Sequence, residues 1–203
     1  MLSSNKPLRI GITGGIGCGK STVLALFEQL GVPCFVADKV AAEYYNDASF
    51  VDEVAQLLGS EVKRPDGTID KAKVASIVFA DKAKLAELNG LIHPRVHRDF
   101  DLWCSRQNSD YVLFESAILY ESGFANGMDK IICVYLEKEE RIRRLLLRDH
   151  VDRVALEARM SNQWSAEEKM EKADWVVLNY EGNPRRRQVE YIDIIIRNIN
   201  EDI

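Results

Sequence analysis

The residues Gly14-Gly-Ile-Gly-Cys-Gly19-Lys20-Ser21 combine closely spaced glycines with a lysine and a hydroxyl, and fit the pattern G-x-x-x-x-G-K-[ST]. Glycines let the backbone curl with its N–H groups inward, which makes an anion nest at the start of a following helix. A lysine directly after the last glycine reaches β- and γ-phosphates, and the next hydroxyl can ligate Mg²⁺. The chemistry is nucleoside triphosphate binding. Gly15, Ile16, Gly17, Cys18, Gly19, Lys20, Ser21 and Thr22 are the nucleotide-binding candidates.

Two carboxylates follow strand-like runs. Asp38 comes just after Val32–Ala37, at the carboxyl end of a strand pattern, where open α/β sheets bind ligands. It could orient and deprotonate an attacking hydroxyl, or cap a helix over Lys39–Tyr45. Glu115 ends the run Tyr111–Glu115 and suits a metal, directly or through water; its other reading is a solvated strand end.

A third group is cationic. Arg141, Arg143, Arg144, Arg148, Arg153 and Arg159 fall in one helical region. Arg141, Arg144 and Arg148 share one helical face, opposite Ile142, Leu145 and Leu146. Guanidinium forks suit phosphate oxygens, whereas Glu137, Glu139 and Glu140 could equally pair with them on a solvated face. Arg185-Arg186-Arg187 reads as solvated basic surface.

These groups need a scaffold. Five apolar runs, Leu8–Thr13, Val32–Ala37, Tyr111–Glu115, Lys130–Leu136 and Trp175–Leu178, read as buried parallel strands. Helical patterns separate them, which is the βαβ signature of an α/β fold. They include Thr22–Leu30, Phe50–Leu58, Lys71–Phe79, His97–Trp103, Glu139–His150, Ala155–Asn162, Ala166–Glu171 and Arg187–Asn198. The stretch from Asp38 to Asp110 is too long for one crossover and implies an inserted helical lobe. Asp66-Gly67 marks a turn between Glu61–Lys63 and Thr68–Asp70, suggestive of a small hairpin.

Bulk properties set the class. The chain has 203 residues, 46% hydrophobic and 29% charged, as expected for one soluble domain. A net charge of −5 argues against a general nucleic-acid surface while leaving room for a local basic pocket. Cys18, Cys34, Cys104 and Cys133 form no C-x-x-C pair, and neither a signal peptide nor a spanning apolar run is evident. The expectation is a cytoplasmic protein with no membrane and no nucleic-acid partner.

The motifs, taken in order, resemble the dephospho-coenzyme A kinase family along nearly the whole chain. Ile12–Thr22 is similar to T-G-G-I-G-S-G-K-S, with Cys18 at the serine position. Ala37-Asp38 resembles D-A-D, Leu91-Ile-His-Pro-Arg-Val96 resembles the H-P-x-V segment, and Leu119-Tyr-Glu121-Ser-Gly123 resembles P-L-L-F-E-S-G. Arg144-Leu-Leu-Leu-Arg148, Arg159 with Gln163, and Ala173-Asp174 with Asn179 match the lid and the adenine-side loop. Val36, Ala42, Glu115, Ala117 and Arg141 depart from the usual aspartate, arginine or histidine, aspartate, proline and glutamine.

The resemblance implies a three-layer P-loop NTPase fold: a five-stranded parallel sheet, a helical substrate-binding insertion and a helical lid. The expected core is about 1–45, 108–138 and 173–203, with the substrate lobe at 46–107 and the lid at 139–172. It further implies ATP with Mg²⁺ and dephospho-coenzyme A as partners, in a monomer or small homo-oligomer. Asp38, Lys20 and Arg148 would be catalytic, Arg144, Arg148 and Asn179 would join the nucleotide site, and Ser21 and Glu115 would serve the metal. Asp38, His93 and Glu121 would meet the acceptor, although His93-Pro94 could simply start a helix. Another small-molecule kinase, or a nucleotide-dependent switch, would share the same phosphate cradle.

Overall fold

The computed structural model describes residues 6–149 and 152–201. His150, at the end of the expected lid helix, and the extreme ends of the expected core lie outside the described residues. Five strands, β1 (Leu8–Thr13), β2 (Cys34–Val36), β3 (Tyr111–Glu115), β4 (Lys130–Tyr135) and β5 (Trp175–Leu178), form a parallel sheet in the order β2-β3-β1-β4-β5. Ile12 of β1 lies opposite Glu115 of β3 and Ile132 of β4. The register therefore brings Thr13, Glu115 and Cys133 to one edge of the central strands.

Each strand in the middle of the sheet is apolar because both faces are covered. All five residues of β3 are buried. Phe114 stacks on Phe35 at 5.6 Å and meets Phe124 at 5.0 Å, which fixes β2 and the segment after β3 against the same core. β2 is shorter than the apolar run Val32–Ala37. Pro33 has no N–H to give to a ladder, and Ala37 already begins α2 (Ala37–Glu43). The Pro33 carbonyl still accepts from Leu113 N–H at 2.9 Å.

The chain separates into two compact units, residues 36–102 and the remainder. The larger unit holds the sheet with α1 (Lys20–Gln29) and, after the fourth and fifth strands, α6 (Lys138–Asp149), α7 (Arg153–Met160), α8 (Ala166–Lys172) and α9 (Arg185–Glu201). α9 packs on α1 and β5, and α8 packs on β4. No helix among the described residues is long and apolar enough to cross a membrane.

The unit of residues 36–102 is helical: α2, α3 (Ala48–Leu58), α4 (Lys71–Ala80) and most of α5 (Lys82–Cys104). Its core gathers Phe50, Val51, Val54, Leu58, Val74, Val78 and Leu88. The expected hairpin reduces to one antiparallel bridge, Lys63 to Ile69, around Gly67, and it tucks Val62 and Ile69 into that core. Here the structure corrects the reading of His93-Pro94 as a helix start, and of a short helix His97–Trp103. Pro94 lies inside the continuous 23-residue helix α5. Proline removes one N–H and its ring crowds the carbonyl four residues earlier. That residue is Gly90. The next residue, Arg95, donates to the Leu91 carbonyl at 2.8 Å and to Glu53 at 2.6 Å, which holds the helix together across the proline.

His93 is half-buried on this helix, and burial, followed by the neighbouring His97, pushes its pKa below the usual histidine range. A depressed histidine pKa means that the folded state disfavours the proton. The associated stability is present above the unfolded pKa of about 6.5 and is lost as pH falls through the folded value. Urea denaturation across pH 7 to 5 should therefore show a shallower acid-side loss for His93→Gln than for the native chain; parallel curves would contradict this.

Candidate active site

The phosphate-cradle motif joins β1 to α1 within the larger unit. The helix begins two residues earlier than its apolar pattern suggests, because Gly19 takes the left-handed conformation (φ 88°) and serves as N-cap. An L-residue there would be strained, and a Cβ would run into the Asn179 amide. Lys20, Ser21 and Thr22 thereby fall in the first turn, where backbone N–H groups and the helix dipole favour an anion. Ser21 and Thr22 are exposed there.

Five of the loop's carbonyl oxygens face donors. Gly14 O accepts from Lys20 Nζ at 3.0 Å and Gly15 O from Cys18 N at 3.1 Å. Ile16 O faces an Arg141 Nη at 3.5 Å, Cys18 O accepts from Asn179 Nδ2 at 2.6 Å, and Gly19 O from Thr22 N at 3.1 Å. Buried backbone groups demand such partners. Once the carbonyls are satisfied from behind, the amide donors are what the loop offers a ligand.

Two of those supports come from elements far along the chain. Arg141 is only 5% exposed; its Nε donates to Leu136 O at 3.0 Å, and its guanidinium lies against Gly15 so closely that a Cβ there would sit 2.9 Å from Cζ. Next to it Leu145, 1% exposed, joins Ile142 and Leu156 in a small cluster against which Ile16 packs. Burying a leucine contributes about 1.5–3 kcal/mol, so α6 and α7 are seated on the loop by apolar contact as well as by Arg141. Asn179, just past β5, is 1% exposed and accepts from Arg185 at 3.0 Å through Oδ1. This corrects the view of Arg185 as plain solvated surface; Arg186 and Arg187 are exposed.

Of the nucleotide-side arginines, Arg144 is half-buried. It donates to Glu140 at 2.9 Å and to Asn179 O at 3.3 Å. Arg143 and then Arg144 hold the half-buried Glu140 carboxyl down to about 2, so that partner stays ionised at any ordinary pH. Arg148 is exposed in the last turn of α6. The shared face of Arg141, Arg144 and Arg148 thus runs from buried against the loop to open.

Glu115 is 7% exposed at the end of β3, and Lys20 Nζ lies 3.8 Å from its carboxylate. Thr13 Oγ1, the last side chain before the loop, is buried with no hydrogen-bond partner among the described residues. No group of three or more His, Cys, Asp or Glu side chains able to hold a metal occurs among the described residues. A single carboxylate and a hydroxyl beside a phosphate cradle fit Mg²⁺, which keeps waters and leans on substrate phosphates instead of a protein cage.

Glu121 lies in the loop after β3. Its Oε1 accepts from Trp164 N–H and from Lys169, each at 2.8 Å. Asp38 and His93 belong to the other unit. Asp38 is exposed in the first turn of α2, whose N-cap is Val36, so it does not cap that helix as the alternative reading had it. Sequence reasoning had Arg141 among the phosphate-suited arginines without its place behind the loop, and missed Lys169 and Arg185 as parts of the site. The departure of Arg141 from the glutamine usual in similar sequences was the one signal that could have found that place.

If the cradle depends on its support from Asn179, then Asn179→Ala leaves the buried Cys18 carbonyl unpaired, at about 1–3 kcal/mol. Calorimetric titration should show ATP binding weakened about tenfold or more, by the same arithmetic. Unchanged affinity would mean the loop holds its shape unaided.

Residues 8–184 match the family model described as dephospho-CoA kinase. A dephospho-CoA kinase from Bacteroides fragilis is 40% identical over 174 residues, covering 85% of this chain and 84% of that one. Among solved structures, TT1252 from Thermus thermophilus is 31% identical with a TM-score of 0.86, covering 94% of this chain and 98% of that one. The dephospho-CoA kinase from Campylobacter jejuni is 25% identical with a TM-score of 0.68, covering 95% and 98%. The strand order, the cradle and these likenesses agree: the chain belongs to the dephospho-CoA kinase family.

Proposed function

We propose that this chain transfers the γ-phosphate of ATP to the ribose 3′-hydroxyl of dephospho-coenzyme A, giving coenzyme A and ADP in the last step of coenzyme A synthesis. The observation that carries the reading is the first turn of α1, where Lys20 and Ser21 follow the glycine loop and Glu115 lies 3.8 Å from Lys20 Nζ. Family membership supplies the acceptor's name.

In this mechanism the amides of residues 14–20 and the Lys20 ammonium hold the β- and γ-phosphates. Ser21 and Glu115 would hold Mg²⁺, directly or through water, and the ion would supply neutralising positive charge at the phosphates. Arg144 and Arg148 supply further positive charge on the nucleotide side. Asp38 orients the 3′-hydroxyl and takes its proton as the new O–P bond forms and the bond from the γ-phosphorus to the bridging oxygen breaks. The loose transition state asks for positioning more than for a strong base, and exclusion of water keeps the phosphate from hydrolysis. His93 belongs to the acceptor side in this reading. A cytoplasmic setting and a monomer or small homo-oligomer go with it.

Incubation with ATP, Mg²⁺ and a panel of hydroxyl acceptors tests the reading. Phosphate should pass to dephospho-coenzyme A in preference to shikimate, gluconate or nucleoside monophosphates. Transfer only to another acceptor would refute the assignment, and ATP binding with no transfer would favour a nucleotide-dependent switch. Asp38→Asn should keep ATP affinity and lose about 10²–10⁴-fold in kcat, the usual worth of a positioned general base; near-normal turnover would remove Asp38 from the mechanism.

A further inference from the structure

Lys169 is completely buried, with 0% of its side chain exposed, in the middle of α8. Its Nζ donates to the Ala117 carbonyl at 2.6 Å and pairs with Glu121 Oε1 at 2.8 Å. Burial lowers its pKa below the usual lysine range; Glu121 opposes that shift, and the Lys20 charge nearby adds to it. Burying an ammonium is costly, and an apolar side chain of similar volume would fill the same space without desolvation. Packing alone therefore gives no reason for a lysine at this position.

The pair meets three functional elements. Ala117 is two residues beyond Glu115, on the loop that leads from the carboxylate beside Lys20. Glu121 Oε1 also accepts from the Trp164 backbone N–H at 2.8 Å. Trp164 belongs to the strap between α7 and α8, and its indole stacks on Tyr120 at 5.4 Å with the rings only 3° from parallel. On its other side the strap is tied to α8 by a capping box between Ser165 and Glu168. Gln163, Trp164 and Ser165 then line a cavity of about 240 Å³ together with Arg141, the residue that braces the phosphate loop. No ligand could reach Lys169 itself.

We propose that Lys169, acting through Glu121, is a positioning residue for phosphoryl transfer: it sets the register between the loop after Glu115 and the strap that closes the lid helices over Arg141. The proposal rests on the phosphotransferase reading above. An ion pair with a carbonyl as third partner is directional, so it specifies one alignment where apolar packing would tolerate several. Small misplacements of groups around a transferring phosphoryl are expensive, about 10²-fold for about 1 Å.

Steady-state kinetics on Lys169→Met, Lys169→Arg and Glu121→Gln test it, with thermal melting to count folded protein. Lys169→Met should lose about 10²-fold in kcat per folded molecule while the KM for ATP stays within about threefold, a loss confined to the transition state. Lys169→Arg, which keeps the charge and the donors, should recover most of that loss. Glu121→Gln keeps size and one acceptor oxygen; it remains informative if Lys169→Met does not fold, and should lose about tenfold in kcat. Near-UV circular dichroism should report a changed Trp164 environment in both weakened variants. Normal kcat in Lys169→Met or in Glu121→Gln, or an arginine variant no better than the methionine one, would overturn the proposal. A native protein inactive on dephospho-coenzyme A would overturn the phosphotransferase reading first, and this inference with it.

Discussion

The backbone of residues 14–19 must stay curled around a space sized for phosphate, and everything else in the site depends on that curl. A peptide loop has no side chains of its own to hold such a shape when glycine dominates it, and glycine gives up more conformational entropy on ordering than any other residue. The constraint is met from outside. Arg141 from α6 and Asn179 from beyond β5 occupy the carbonyl side of the loop, and Lys20 and the first turn of α1 complete the rest. Sequence separations of 125 and 161 residues show that the loop is a product of the whole unit, not of its motif.

The electrostatics follow the same logic. A chain of net charge −5 concentrates Lys20, Arg141, Arg144 and Arg185 around one loop, with Lys169 bonded to the loop after β3. Their partners are carboxylates and backbone or amide oxygens, so the cations are aimed before any ligand arrives. Glu140 holds Arg144, Glu121 holds Lys169 and Glu115 lies beside Lys20. Preorganised charge of this kind is worth more than mobile surface charge, because it needs no reorientation as the phosphoryl group moves.

Local signals were readable in the chain. The near-continuous apolar runs located β1, β3 and β5 to the residue, and the glycine-lysine-serine pattern located the cradle. Where local chemistry competed with periodicity, the reading slipped. Gly19 in the left-handed region starts α1 at Lys20, ahead of the first apolar position, and α5 runs through Pro94, where Arg95 ties the turn back to Leu91. The supports of the cradle were least legible. Nothing near Lys169 or Arg185 in the sequence announces a partner about fifty or six residues away, and Arg141 offered only its departure from glutamine as a sign of a partner 125 residues away. Asn179 entered by resemblance and acquired a physical reason only with its bond to Cys18 O.

A double-mutant cycle on Gly15 and Arg141 reaches the central claim most directly. Gly15 has no positive φ among the glycines of the loop, so alanine is allowed there by its backbone and opposed only by the Arg141 guanidinium. Calorimetric ATP affinities should fall at least about tenfold for Gly15→Ala, while the double variant with Arg141→Ala should bind no worse than Arg141→Ala alone, a strong departure from additivity. Normal affinity in Gly15→Ala, or penalties that simply sum, would contradict a cradle held in shape by Arg141.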